Sequence, residues 1–311
     1  MGSDAHVIVV GGAARLIDDA VMRVAELEQR WSRFLPDSEI SQLNRWAGLP
    51  VAVSPDTVTL VEHAIVAWRL SGGAFDPTVL GAVMRAGYDR TFEQLGRRSF
   101  GFSDPSAGCH ALGQGADAIA VRGETVTLHS GTGFDPGGIG KGLAADLVCA
   151  EMLAAGADGI CVNLGGDVRV AGAGPDGGSW TVAVEHPEAD SPIVQLGLAG
   201  GAVATSTTLR RRWMFGTDER HHLIDPQTGQ PSTSDLTLAT VVAGQGWIAE
   251  VLAKAVILAG SAHAFDTLGG TGAQALAIDR RGVVQATPGL SGFLGGRVVE
   301  PRIPSVAIAT A

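Results

Sequence analysis

The clearest pattern along the chain is a set of apolar positions at helical spacing over residues 15–31: Leu16, Ala20, Val21, Val24, Leu27 and Trp31. Residues that recur every three or four positions share one face of an α-helix, so this segment is expected to bury that face. A second stripe, Val58, Val61, Ala64, Ile65 and Trp68, predicts a helix over 56–70 that Gly72 and Gly73 end. Pro36-Asp37-Ser38 breaks the chain between the two, and Ser38-Glu39 opens a helical turn toward Leu43 and Asn44. Shorter apolar runs bounded by turn residues predict strands at 7–10, 118–121, 125–128, 160–163, 168–171, 180–184, 193–198, 202–205, 236–242, 274–279 and 283–286. Helices are expected among them at 141–153 and 248–258, and residues 87–110 read as polar loop. Helices and hairpins are interspersed without regular βαβ alternation. That predicts an α+β fold rather than a doubly wound sheet. No repeat or linker is visible, so residues 8–290 are expected to form one composite domain, with 291–311 as a tail.

Composition narrows the function. Apolar residues make up 45% of the chain, enough for a sizeable core, and the net charge of −10 argues against a general nucleic-acid binder. The one compact basic run, Arg210-Arg211-Arg212, reads either as a solvated turn or strand end, or as a contact for an anion or partner. Cys109, Cys149 and Cys161 are odd in number and form no C-x-x-C pair, so reduced thiols are expected rather than a disulfide framework or a zinc site. No apolar run reaches the roughly 18 residues of a membrane span, and the first residues lack a basic, apolar leader pattern. The expectation is a cytoplasmic chain with no membrane insertion; the alternative is a chain whose leader has been removed.

The richest local chemistry lies between Gly131 and Asp146, where a carboxylate, a run of glycines and a lysine precede a helical pattern. Glycines let backbone N–H groups close on an anion, and the helix N-terminus adds a positive dipole end. Lys141 adds a full charge, and Asp135 is placed to order a ribose, a metal or a ring nitrogen. This is not a Walker A loop, because position 135 is Asp and position 142 is Gly where that motif needs Gly and Ser or Thr. Nor is it a dinucleotide fingerprint, because Gly138, Gly140 and Gly142 are evenly spaced by two. A glycine-rich turn feeding an ordinary helix is the bland alternative.

Four more clusters carry polar groups in turns. Gly72–Thr78 presents Asp76, and Asn163–Asp167 joins two predicted strands. Ala204-Thr205-Ser206 ends a strand with two hydroxyls, and 221–229 combines His221, His222, Asp225 and Thr228. Each also reads as ordinary turn chemistry when taken alone. A histidine at 222 suits a general acid or base, or a phosphate contact. No zinc-like spacing and no G-x-S-x-G elbow is present.

In this order the clusters resemble the ApbE family of FAD:protein FMN transferases. The resemblance rests on 31–44, on Gly73-Ala74-Phe75-Asp76-Pro77-Thr78 and on Asp135-Pro136-Gly137-Gly138-Ile139-Gly140-Lys141-Gly142. It continues through 163–167, 204–206 and 222–229, and so covers about residues 8–290. It implies an α+β fold that binds FAD in a cleft, uses Mg²⁺, and moves FMN onto a Ser or Thr hydroxyl of an acceptor protein with release of AMP. Carried over by motif, Phe34, Ala74, Phe75, Asp76, Asp135, Lys141, Thr205, Ser206, His222 and Ile224 would contact FAD. His222 and Asp225 would stand by the reacting phosphates, and Gly138 and Glu250 would face the metal. Phe34 stands near a position where many members carry Tyr.

One departure bears on the metal. The family's motif on the C-terminal helix usually reads Ala-Asp with Thr four residues after the Asp. Here the stretch is Ala249-Glu250-Val251-Leu252-Ala253-Lys254. Glu250 keeps an oxygen ligand at longer reach, but a protonated lysine ligates no metal. At (i, i+4) the two share a helix face and are placed to pair. Lys254 would then fill part of the cation's space and meet the diphosphate itself. The expected activity is FMN transfer; the rivals are hydrolysis of FAD to FMN and AMP, and FAD binding without catalysis.

Overall fold

The computed structural model describes residues 4–95 and 115–295. Cys109 and much of the expected tail and of the 87–110 loop lie outside the described residues. Strand β1 (Ala5–Val10) leads into α1 (Leu16–Trp31), which buries Leu16, Ala20, Leu27 and Trp31. Val21 was expected on that face but is 54% exposed. It lies one residue, about 100° of helix rotation, beyond Ala20, outside the narrow stripe that meets the core. Helix α2 (Glu39–Arg45) is capped by Ser38, whose hydroxyl accepts from the Ser41 N–H. After β2 (Val51–Ala52), α3 (Pro55–Leu70) starts on a Ser54 cap with proline in its first turn.

The core face of α3 is Thr57, Leu60, Val61, Ala64 and Ala67, rotated from the predicted stripe. Thr57 belongs inside because its hydroxyl accepts the buried Trp31 indole N–H at 3.1 Å. Helices α4 (Leu80–Arg85) and α5 (Phe92–Leu95) are too short to show a period in the sequence; α5 falls where loop was expected. The predicted hairpin is present as β3 (Ile119–Arg122) and β4 (Thr125–Leu128), extended to three strands by β2.

Beyond the glycine loop, α6 (Gly140–Ala154) is followed by β5 (Gly159–Leu164), β6 (Asp167–Gly172), β7 (Trp180–Val184), β8 (Val194–Leu198) and β9 (Gly201–Thr207). Two small ribbons follow, β10 (Arg212–Phe215) with β11 (Asp218–His221), and β12 (Ile224–Asp225) with β13 (Gln230–Pro231). Strand β14 (Leu236–Ala243), helix α7 (Gly246–Ala259), β15 (Gln274–Asp279) and β16 (Val284–Ala286) complete the described chain.

Seven strands form the main sheet in the order β1-β5-β6-β9-β14-β15-β16, with every neighbouring pair antiparallel. The fold is therefore α+β, as the interspersed pattern predicted. Helices α6 and α7 pack on one face, and the β7–β8 hairpin covers part of the other. A register shift in β14 between Leu236 and Leu238 sends the first toward α7 and the second toward the hairpin, although two-residue spacing alone would put them on one face. No helix among the described residues is long and apolar enough to cross a membrane.

Helices α6 and α7 meet at their first turns, where a Cβ on Gly142 would lie 2.3 Å from the Gly246 carbonyl oxygen. Only glycine allows this approach. It lets each helix cap the other. Asp146 of α6 accepts from the Gly246 and Trp247 N–H groups at 2.8 and 3.0 Å, and Glu250 of α7 accepts from the Gly142 N–H at 2.8 Å. Two sets of otherwise orphaned helix-end donors are satisfied this way.

Candidate functional site

The crossing of α6 and α7 floors a cleft with two adjoining chambers, of about 150 and 480 Å³. Gly137, Lys141, Arg211, His222 and Lys254 line both. Of these five residues three carry basic side chains and a fourth an imidazole, so the boundary between the chambers is suited to an anion.

The first chamber has aromatic walls. Helix α1 ends at Trp31, and the chain turns extended at Ser32, which carries Arg33 and Phe34 into the cleft. The Arg33 guanidinium donates through Nη1 and Nη2 to the Tyr88 carbonyl, both at 3.0 Å, and its Nε lies 3.5 Å from Asp135 Oδ2. It also lies over the rings of Phe34 and Tyr88, at 4.1 and 4.7 Å from their centroids. Tyr88 in turn packs against Trp213, whose indole donates to the Ala86 carbonyl at 3.0 Å. Burial raises the Tyr88 phenol above its ordinary range. Ile224 completes this wall against Val83 and Trp213.

The expected acids hold turns at the same wall. Asp76 accepts through Oδ1 from the Thr78 N–H at 2.7 Å and hydroxyl at 2.6 Å, which fixes the turn after Ala74 and Phe75. Asp135 caps the short 3₁₀ turn at Pro136–Gly138, accepting from the Gly137 N–H at 2.8 Å. Phe34, Ala74, Phe75, Asp76, Asp135, Gly138 and Ile224 thus line the first chamber, and Thr205 and Ser206 line the second. Asp225 lines neither. Its two oxygens accept from the Gln227 N–H at 2.9 Å and the Thr228 hydroxyl at 3.2 Å, so it holds the turn before β13.

His222 lies between the chambers, and its buried Nδ1 has no hydrogen-bond partner among the described residues. Burial, reinforced by Arg211, Lys254, His221 and Lys141, holds its pKa well below the ordinary histidine range. The ring is neutral at pH 7, and the same burial and positive charge weaken it as a base until an anion lies beside it. Arg211 reaches the boundary from a backbone with φ of 52°, the left-handed region that a side chain seldom adopts.

The floor is a compact charge cluster. Lys141 forms ion pairs with Asp167 and with Glu250 Oε1, the latter at 3.2 Å. Lys254 donates to the same Oε1 at 3.2 Å and to the Glu250 carbonyl at 3.3 Å. Burial draws the Lys141 ammonium down to about 8; Glu250 opposes this and Lys254 adds to it. Burial alone would push the Glu250 carboxyl up, but Lys141, Lys254 and the Gly142 N–H together hold it below the ordinary glutamate range. Glu250 is an ionised anchor for two ammonium groups and a helix end.

Mg²⁺ fits this cluster poorly. It needs near-octahedral coordination by oxygens at roughly 2.0–2.1 Å. Glu250 already accepts from one N–H and two ammonium groups, and among the described residues no three His, Cys, Asp or Glu side chains gather as a metal site. Gly138, the other expected contact, packs between the Phe75 ring and the Lys254 stem: a Cβ there would lie 2.6 Å from Phe75 Cε2 and 3.4 Å from Lys254 Cδ.

Tyr88 and Arg211 line the cleft but were missed or left undecided by sequence reasoning; Arg33 lies within the 31–44 motif but was given no role, and Trp213 supports the wall from behind Tyr88. Each reaches the site through contacts far apart in the chain, and only the basic run at 210–212 gave a local signal.

Comparison with known proteins points the same way. A sequence model described as the ApbE family matches residues 1–277. A FAD:protein FMN transferase of Vibrio cholerae is 29% identical over 239 residues, which are 76% of this chain and 70% of that protein. A solved structure of the flavin transferase ApbE from Vibrio cholerae superposes with a TM-score of 0.77 at 25% identity, covering 94% of this chain and 96% of that one. The ApbE protein of Thermotoga maritima shares the fold with a TM-score of 0.80 at 24% identity, covering 93% and 96% of the two chains.

Proposed function

The chain belongs to the ApbE family, and we propose that it transfers FMN from FAD to a Ser or Thr hydroxyl of an acceptor protein, releasing AMP. The observation that carries this reading is the pair of chambers divided by Lys141, Arg211, His222 and Lys254. FAD is two ring systems joined by a doubly negative diphosphate. The aromatic first chamber suits one ring system, and the basic boundary suits the diphosphate. The larger second chamber, with the Thr205 and Ser206 hydroxyls on its wall, has room for an incoming side chain.

In the reaction the acceptor oxygen forms a bond to the phosphorus on the flavin side. The bond from that phosphorus to the bridging oxygen breaks, and AMP leaves with the oxygen. The hydroxyl proton goes to a base, for which neutral His222 is the candidate. Lys141 and Lys254 offset the charge on the phosphates, and the site accelerates the step chiefly by position and electrostatics. Asp76 and Asp135 shape the turns that hold the ligand rather than taking part in bond making. A relative named for this activity supports the assignment.

The test is to incubate the purified chain with FAD and a protein bearing a flavinylation-type Ser or Thr, then examine the acceptor for covalent flavin fluorescence on a denaturing gel. A fluorescent acceptor band that disappears when its hydroxyl residue is replaced by Ala is expected. AMP formed equally well without acceptor would instead identify a hydrolase, and FAD returned intact would identify a binding protein.

A further inference from the structure

The charge cluster under the cleft extends the FAD reading, on which this inference rests. The two positions where a divalent cation was expected, Gly138 and Glu250, are adjacent to one another across the Lys254 side chain. Glu250 Oε1 receives the ammonium groups of Lys254 and Lys141, each at 3.2 Å, and Oε2 receives the Gly142 N–H. A dication brought to this carboxylate would compete with two ammonium groups for one oxygen and with a helix cap for the other. The cluster already has its charges matched, two ammonium groups against the carboxylates of Glu250 and Asp167, and its cation positions are filled by lysine.

Its geometry also leaves donors over. An ammonium group has three N–H bonds. Lys141 donates to Asp167 and ion-pairs with Glu250, and Lys254 donates to the Glu250 carboxylate and carbonyl. Each retains one N–H among the described contacts, and both side chains line both chambers. The two donors therefore stand where an anion spanning the boundary would lie. We propose that the ammonium groups of Lys254 and Lys141, anchored on Glu250, replace a divalent cation against the FAD diphosphate, so that this chain binds FAD and transfers FMN without one.

The experiment uses the full chain treated with EDTA and desalted, its metal content verified by mass spectrometry. FAD and riboflavin are titrated by flavin fluorescence in EDTA and in Mg²⁺, and Mg²⁺ alone is titrated by calorimetry. FAD affinity is expected to agree within about twofold in the two buffers, with no saturable Mg²⁺ heat and with acceptor-dependent AMP release retained in EDTA. Lys254→Met keeps the stem and loses the charge; it should weaken FAD by about tenfold or more while leaving riboflavin, which has no phosphate, within about twofold. Riboflavin binding reports that the variant is folded. Should Lys254→Met fail to fold, Lys254→Gln serves, with the same loss of about tenfold or more expected for FAD in EDTA and riboflavin again within about twofold. FAD affinity or AMP release that appears only with Mg²⁺ would overturn the inference and leave the flavin reading standing. Failure of the folded chain to bind FAD in either buffer would sink both.

Discussion

Single residues in the cleft show how local charge sets chemistry. His222 is neutral because burial and four nearby basic groups oppose its protonation. Its folded pKa is lowered, so the proton-accepting form persists as pH falls through the ordinary histidine value near 6.5. At FAD well below saturation, where the rate reports the free protein, no loss centred near pH 6.5 should appear between pH 7.5 and 6 in a stopped-time assay of covalent flavin; such a loss would contradict it. His222→Ala should lower that rate by about a hundredfold or more, the usual scale of general acid–base catalysis, with a smaller change in FAD affinity. A fall confined to affinity would make it a phosphate-holding group instead. Arg33→Lys removes the paired bonds to the Tyr88 carbonyl and the stacking on two rings. It should weaken FAD by about tenfold in a fluorescence titration, equivalent to roughly 1.4 kcal/mol. The two described cysteines have no such role. Burial pushes the Cys149 thiol up to about 12 and Cys161 up to about 11. Iodoacetamide at pH 8 should label both rapidly only after unfolding in urea, as peptide mass spectrometry would reveal.

At the scale of elements, the reciprocal caps of α6 and α7 hold the floor of the site in place. Gly142→Ala would force a Cβ to 2.3 Å from a backbone carbonyl. A loss of about 1–3 kcal/mol is expected in urea unfolding, the usual cost of overpacking, together with weaker FAD binding because Glu250 and Lys141 shift with the helix. A second network ties α1, α3 and α6 together. Arg23 donates to both oxygens of Asp56 at 2.7 and 2.8 Å and to Glu151, while Arg30 joins Asp56 and Glu26. The Arg23 hydrogen bond, aided by Arg30 and opposed by burial, lowers the Asp56 pKa. A lowered folded pKa gives stability that is present above the unfolded value of about 4 and lost as pH falls through the folded one. Asp56→Asn should thus cost roughly 1–3 kcal/mol at pH 7, and in urea unfolding its deficit relative to the parent should be smaller at pH 3 than at pH 7. A constant difference between the two pH values would contradict this.

For the whole molecule, the sequence was legible where a pattern is local. Strands flanking Gly165-Gly166, the hairpin at Gly123 and the two long helices all carry their period or turn signal within a few residues. The ribbon β10–β11 was not legible, because Trp213 is its buried side chain while Met214 and Phe215 are exposed, so no alternation marks it. The site followed the same rule. The six motifs supplied most of the lining, and the Glu250–Lys254 pair could be read from helical spacing alone. Lys141 joining that pair, the Gly142 N–H capped by Glu250, and Arg33 bridging Tyr88 to Asp135 all depend on contacts between distant segments. Asp225 shows the converse: a motif residue can serve the turn that presents its neighbours.

Group transfer from FAD is tested most directly by the stoichiometry of its two products. The chain would be mixed with excess FAD and a limiting acceptor, AMP quantified by chromatography, and FMN on the acceptor measured by intact mass. Transfer predicts one AMP for each FMN attached, with AMP formation ceasing when the acceptor is fully modified. AMP that continues to accumulate after that point, or an acceptor of unchanged mass alongside free FMN, would contradict it.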